Sequence, residues 1–140
     1  MKPIAIIGLA ALAPKALTLQ EYWDNIVNAV DCITDVPPSR WEIDDYYSPD
    51  ITAPDKTYCK RGGFLPDIDF DPVEFGLPPN ILEVTDVSQL LSLLVARDAL
   101  ADAGYRDASP ELRQRTGVIL GVGGGQKLIT PLTGRLQYPI

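Results

Sequence analysis

Between Thr85 and Gly104 the sequence reads TDVSQLLSLLVARDALADAG, and this stretch sets the hardest condition on the fold. Val87, Leu90, Leu91, Leu94, Val95 and Leu100 recur at helical spacing, while Leu93 and Ala96 fill most of the remaining surface. A helix that is apolar nearly all round must be covered nearly all round, so it belongs in the middle of a larger structure. Thr85 or Asp86 supplies its N-cap, Asp86 and Gln89 have the spacing of a capping box, and Gly104 supplies the stop. Asp98 and Asp102 lie four residues apart on the outer stripe, where solvated or paired carboxylates are expected. Such a pair makes a metal site only when imidazoles or further carboxylates join it.

Two apolar stretches are candidates to cover that helix. Ile4-Ala5-Ile6-Ile7 is rich in β-branched residues and ends at Gly8; Thr116-Gly117-Val118-Ile119-Leu120-Gly121 repeats the pattern. Continuous apolar strands suit a parallel sheet covered on both faces, which places the chain in the α/β class. The first stretch also imitates an export signal. Lys2 precedes an apolar run from Ile4 to Leu12, and Ala11-Leu12-Ala13 fits the small-x-small cleavage rule. On that reading a small secreted α/β protein would start near Pro14, but Pro3 and the single basic residue favour the strand. No other stretch reaches the ~18 apolar residues of a membrane span. Thr18 and Glu21 form a capping box ahead of a helix whose Leu19, Tyr22, Trp23, Ile26 and Val27 share one face. Asn28 to Asp31 close it.

From Thr34 to Pro79 the texture changes. Eight of the 13 prolines fall here among acids and aromatic residues, and the stretch reads as a loop-rich insertion packed by its own side chains. Tyr58 to Leu65 holds a short edge strand that breaks at Gly62-Gly63. Asp67, Asp69 and Asp71 alternate with Ile68 and Phe70, but the calcium-loop positions that need Gly and Glu hold Pro72 and Pro78. An extended segment with one solvated face is the simpler expectation.

Composition then removes whole classes of function. The 140 residues contain no histidine, which excludes His-metal sites, serine triads and cysteine–histidine dyads within the chain. Lys plus Arg number 12 against 19 Asp plus Glu, so a net charge of −7 offers nucleic acid no basic footprint. Cys32 and Cys59 are too few for a disulfide framework and are expected as reduced thiols, although Lys60 and Arg61 could lower the pKa of Cys59. Gly121-Val122-Gly123-Gly124-Gly125-Gln126-Lys127 leaves the second strand as a phosphate loop would. Gln126 stands where the dinucleotide and P-loop patterns both require Gly, and Leu128 where the P-loop requires Ser or Thr. What remains is backbone passing close to something, a ligand and a neighbouring strand being equal alternatives.

These segments, in this order, resemble the N-terminal part of a β-ketoacyl synthase domain. Ile4 to Gly8 is similar to that family's first strand, and VPPSRWEIDDYYSPD (Val36 to Asp50) to its Val-Pro-x-x-Arg-Trp segment. KTYCKRGGFL, DFDPVEFGLPP, ALADAGY (Ala99 to Tyr105) and TGVILG (Thr116 to Gly121) follow in the family's order. Many modular synthases carry Asp-Pro-Gln-Gln-Arg where this chain has Asp86-Val87-Ser88-Gln89-Leu90. PPNILEVTDVSQLL with GVGGGQKLITPLTGRLQYP instead resembles the first ketosynthase of polyunsaturated fatty-acid synthases and related type I polyketide synthases.

The resemblance implies a thiolase-like α/β fold. Residues 1–140 would be an incomplete N-terminal segment holding the first two strands and their helices of a five-stranded mixed sheet, with the loop-rich insertion at about 34–79. It implies a parent acyltransferase that condenses acyl and malonyl units by decarboxylative Claisen chemistry, with a cysteine thiolate and two histidines that all lie downstream of this segment. No catalytic residue and no metal ligand therefore falls in this chain. By alignment Gly124 lines the acyl pocket, making Gly123, Gly124 and Gly125 the pocket candidates, with tight strand-to-helix packing as the alternative. The chain would bind no cofactor itself, while its parent uses phosphopantetheinylated acyl carrier protein. Implied partners are the rest of the ketosynthase domain, the carrier protein and a second copy in a homodimer, all cytoplasmic, with no nucleic acid and no membrane span. A catalytically dead binding or scaffolding module with part of the same fold is the rival expectation.

Overall fold

The computed structural model describes residues 3–123. Among them run α1 (Leu19–Val27), β1 (Thr34–Asp35), α2 (Ile43–Tyr46), β2 (Arg61–Gly62), α3 (Pro79–Leu82), α4 (Val87–Asp102) and α5 (Pro110–Gln114). The chain divides into two compact units: Ala11–Ile68, and the start of the chain through Ala10 together with the residues from Asp69 onward.

In the Ala11–Ile68 unit, the predicted capping box is complete. The Thr18 side chain accepts from the Glu21 N–H, and the Glu21 carboxylate accepts from the N–H groups of Leu17 at 2.8 Å and Thr18 at 3.1 Å. At the other end, Ala29 N–H donates to the Ile26 carbonyl and Val30 N–H to that of Asn25, a Schellman closure. Ala29 occupies the left-handed position there with φ +51°, where glycine would be the ordinary choice. β1 and β2 pair antiparallel, Thr34 opposite Gly62 and Asp35 opposite Arg61, so the edge strand expected within Tyr58 to Leu65 is present. Ala16 and Val36 are the buried apolar residues of this unit.

In the other unit, Asp86 caps α4 by accepting from Ser88 N–H and Oγ. The Gln89 N–H donates to the Asp86 carbonyl at 2.9 Å. Gly104, at φ +77°, ends the helix in a second Schellman closure, with Gly104 N–H on the Ala101 carbonyl and Tyr105 N–H on that of Leu100. Leu94 is the one buried residue of α4.

The two predicted strands are where the structure departs from expectation. Ile4 to Ile7 and Thr116 to Gly121 join no ladder among the described residues, and Ile4 and Ile119 are 98% and 99% exposed. The physical reason is that a strand exists only through the N–H and C=O groups of its neighbours. The one ladder among the described residues is β1–β2, and neither stretch is part of it. Among the described residues no helix is long and apolar enough to cross a membrane.

Candidate functional site

The glycine cluster after Gly121 is the stretch to which the sequence assigns a site. Only Gly123 of the three pocket candidates lies within the described residues; Gly124 and Gly125 lie outside them. A Cβ built on Gly117, Gly121 or Gly123 would meet no atom within 4 Å. The close approaches occur elsewhere, at Gly8 and Gly63. A Cβ on Gly8 would lie 2.5 Å from the Ala99 carbonyl oxygen and 2.7 Å from the Ala103 Cβ. One on Gly63 would lie 2.8 Å from the Pro14 ring. Neither partner is near in sequence, so no local pattern could have flagged them.

Both cysteines are free, Cys32 half-buried and Cys59 exposed. The basic residues beside Cys59 are turned to carboxylates. Lys60 Nζ lies 3.0 Å from Asp35, while Arg61 Nη2 lies 3.0 Å from Asp31 and 2.6 Å from the Ile33 carbonyl oxygen. Asp31 is held below the usual carboxylate range, first by the Ile33 N–H it accepts and then by Arg61. The Lys60 ammonium is pushed up by its hydrogen bond to Asp35. This ion-pair lattice braces the ladder.

Two open clefts lie in the Ala11–Ile68 unit. The larger, about 640 Å³, is lined by Trp41, Tyr46, Asp55, Lys56 and Thr57. Trp41 and Tyr46 meet edge-to-face with ring centres 5.9 Å apart, and Lys56 Nζ donates to the Asp45 carbonyl at 2.5 Å. Its one cation is thus engaged in closing α2. The smaller, about 380 Å³, runs beside α1 past Pro14, Tyr22, Ile26, Val30 and Cys32.

In the second unit a polar cluster surrounds Arg97. Its Nη1 lies 2.8 Å from Glu74 and its Nε 2.8 Å from Asp98, while its guanidinium sits 6.0 Å from the Phe75 ring centre. Phe75 in turn stacks on Phe70 at 5.0 Å. The Asp98 hydrogen bond raises the Arg97 pKa above its ordinary value, against a smaller opposing effect of burial. The cluster straps the Phe70–Phe75 loop to α4, so Asp98 is paired, as its position on the outer stripe suggests. Asp102 accepts from the Leu9 N–H at 2.9 Å. Among the described residues no three His, Cys, Asp or Glu side chains are arranged to hold a metal ion.

Comparison with known proteins places this geometry. The family model described as "Beta-ketoacyl synthase, N-terminal domain" matches residues 1–138. A polyunsaturated fatty acid synthase chain of a Thraustochytrium species is 43% identical over 137 residues, 98% of this chain and 5% of the relative. Polyketide synthase PksL of Bacillus subtilis is 42% identical over 120 residues, 85% of this chain and 3% of the relative. Among solved structures, a ketosynthase from module 6 of the Bacillus subtilis bacillaene synthase superposes with a TM-score of 0.65 at 42% identity, over 71% of this chain and 17% of that one. An oxazolomycin ketosynthase domain from Streptomyces albus gives the same TM-score at 37% identity, over 69% of this chain and 17% of its own. The chain thus spans a small part of each protein it matches.

Proposed function

The chain belongs to the β-ketoacyl synthase family, in register with its N-terminal domain, and from that premise we propose that it forms the opening portion of a ketosynthase in fatty-acid or polyketide synthesis. Its fold is the N-terminal part of the thiolase-like α/β fold of the matched ketosynthase domains. The observation that carries the reading is the match over residues 1–138, with the polyunsaturated fatty acid synthase similar across nearly the whole chain.

The reaction we assign to the assembled domain is decarboxylative Claisen condensation. A cysteine thiolate accepts the acyl group, and hydrogen-bond donors stabilise the oxyanion that forms as the malonyl unit loses carbon dioxide and attacks. This chain has no histidine, so its contribution is architectural. It carries α4 and the apolar stretches at Ile4–Ile7 and Thr116–Gly121, whose exposed side chains suit burial under the remainder of a ketosynthase. We assign phosphopantetheinylated acyl carrier protein as the substrate carrier, a homodimeric parent and a cytoplasmic setting to the same reading. Gly123, Gly124 and Gly125 are its acyl-pocket candidates, where the lack of a Cβ leaves room for a long chain.

The test is to incubate the 140-residue chain with acyl- and malonyl-carrier protein, alone and fused to the remainder of a ketosynthase domain. Product is expected only from the fusion. A 3-ketoacyl product from the chain alone overturns the reading, and a folded fusion without product favours a scaffolding module. In the active fusion, Gly124→Ile is expected to shorten the longest acyl chain accepted, discriminating by about 1–3 kcal/mol between chains that do and do not reach it. Unchanged selectivity with a lowered melting temperature removes the pocket assignment.

A further inference from the structure

α4 ends on a carboxylate. Asp102 is its last residue, and no basic side chain occupies its last turn. The C-terminal end of a helix carries the negative pole of the backbone dipoles, so an anion there is electrostatically misplaced, and aspartate is a poorer helix former than alanine. A compensating partner is present at long range in sequence. The Leu9 N–H donates to Asp102 Oδ2 at 2.9 Å across 93 residues. It belongs to an apolar segment whose backbone has no ladder among the described residues to bond with.

The neighbouring residue makes the contact selective. Gly8 sits against the same stripe of α4, where a Cβ would fall 2.5 Å from the Ala99 carbonyl oxygen and 2.8 Å from Ala103 N. Ala99, Asp102 and Ala103 are spaced three and four residues apart, so seat and acceptor share one helix face. Sliding the segment by one residue would put Ile7 or Leu9 in the seat, and both carry the Cβ that the seat excludes. Only one alignment satisfies both contacts.

We propose that Asp102 is a positioning residue that pins the N-terminal segment to α4 at a single register, acting through the Leu9 N–H with Gly8 as its seat. The pin sets which residues of Ile4–Ile7 face each side before any neighbouring strand pairs with them. A one-residue slip would send every side chain of a strand to the opposite face, so this register has to be specified. The proposal rests on this chain's own contacts, and its test reads no enzymatic activity.

Amide hydrogen exchange, followed by NMR on the 140-residue chain, tests it, with the Leu94 amide in the middle of α4 as internal reference. The Leu9 amide is expected to be protected, and Asp102→Ala to speed its exchange about tenfold or more, because a hydrogen bond to a charged group is among the stronger ones. Leu94 should be unaffected. Asp102→Asn, which keeps an acceptor oxygen, should restore most of the protection, and Gly8→Ala should lose it with Asp102 intact. An unprotected Leu9 amide in the unsubstituted chain overturns the proposal, as does protection that survives Asp102→Ala or Gly8→Ala. So does a change at Leu9 matched by the same factor at Leu94. Were Asp102 merely a misplaced charge, its removal would slow exchange along the last turn of α4 instead.

Discussion

α1 and α4 are ended by the same devices yet stand in opposite relation to their surroundings. Each begins at a side-chain cap and closes in a Schellman motif. α1 carries a one-sided apolar stripe of the kind that should lie on a core, but none of its residues is buried and Trp23 is 59% exposed. α4 is apolar nearly all round and buries Leu94 to 6% exposure. Helix ends are thus determined by residues within one turn of each other, whereas the cover over a helix is determined by parts of the chain far away. The two closures also differ in one atom. α4 places Gly104 in the left-handed position, and α1 places Ala29 there. What steadies the α1 end is a local brace: Asn25 Nδ2 donates to the Lys15 carbonyl at 3.0 Å, and Lys15 Nζ to the Asp31 carbonyl at 2.9 Å.

The sharpest way to break this comparison is to truncate one apolar side chain in each helix. Leu94→Ala is expected to destabilise by about 2–5 kcal/mol through lost burial and the cavity left behind. Ile26→Ala on the exposed stripe of α1 should stay within about 0.5 kcal/mol. Urea unfolding followed by circular dichroism reads both, and equal costs would mean that α1 is covered after all.

Exchanging the residues at the two closures gives a smaller effect of opposite sign. Gly104→Ala should lower stability by about 1–2 kcal/mol, because the left-handed conformation brings Cβ against the following carbonyl oxygen. Ala29→Gly should raise it by about 1 kcal/mol or less, since relief of that strain is offset by a more flexible unfolded chain. If Ala29→Gly destabilises, the left-handed assignment at Ala29 is wrong.

At the N-terminal end, Thr18→Ala should cost about 1 kcal/mol by leaving the Glu21 N–H without its side-chain acceptor. The same unfolding experiment checks it, and no change would show that the cap is dispensable.

The weakest expected effect is a pH dependence confined to α1. The Glu21 carboxyl is held below its ordinary value of 4.5, first by the Leu17 N–H and then by the Thr18 N–H. A depressed pKa means that its contribution is present above the unfolded value and is lost as pH falls through the folded one. Helical signal should therefore decline on acidification below the ordinary glutamate range, and Glu21→Gln should flatten the part of that decline belonging to α1. An identical acid profile in the variant would remove Glu21 from the account.

These contrasts explain what could be read from the residues alone. Thr18, Glu21, Asp86 and Gly104 were legible because each bonds within its own turn. The family was legible because six segments recur in order, which no single contact decides. The pairing of Ile4–Ile7 and Thr116–Gly121 was not, since apolar alternation proposes a strand but only a neighbour makes one. Asp102 reads as a solvated or paired acid, and its partner is hidden because it lies 93 positions away. The seats of Gly8 and Gly63 were hidden for the same reason. Of the pocket candidates, Gly123 carries no contact that identifies a role, and the other two lie outside the described residues.

The exposed isoleucines, valines and leucines also have a calorimetric consequence. The heat-capacity increase on unfolding measures apolar surface newly brought into contact with water, at about 12–15 cal/mol/K per residue for an ordinary domain. Ile4, Ile6, Val118, Ile119 and Val122 are already largely hydrated in the folded chain. Their hydration cancels between the two states. The chain by itself therefore has a less curved stability profile than its length implies, with a weaker dependence of the unfolding enthalpy on temperature. Covering those side chains within a ketosynthase restores the missing heat capacity, so the curvature of the transition reports directly on whether the apolar stretches have found their neighbours.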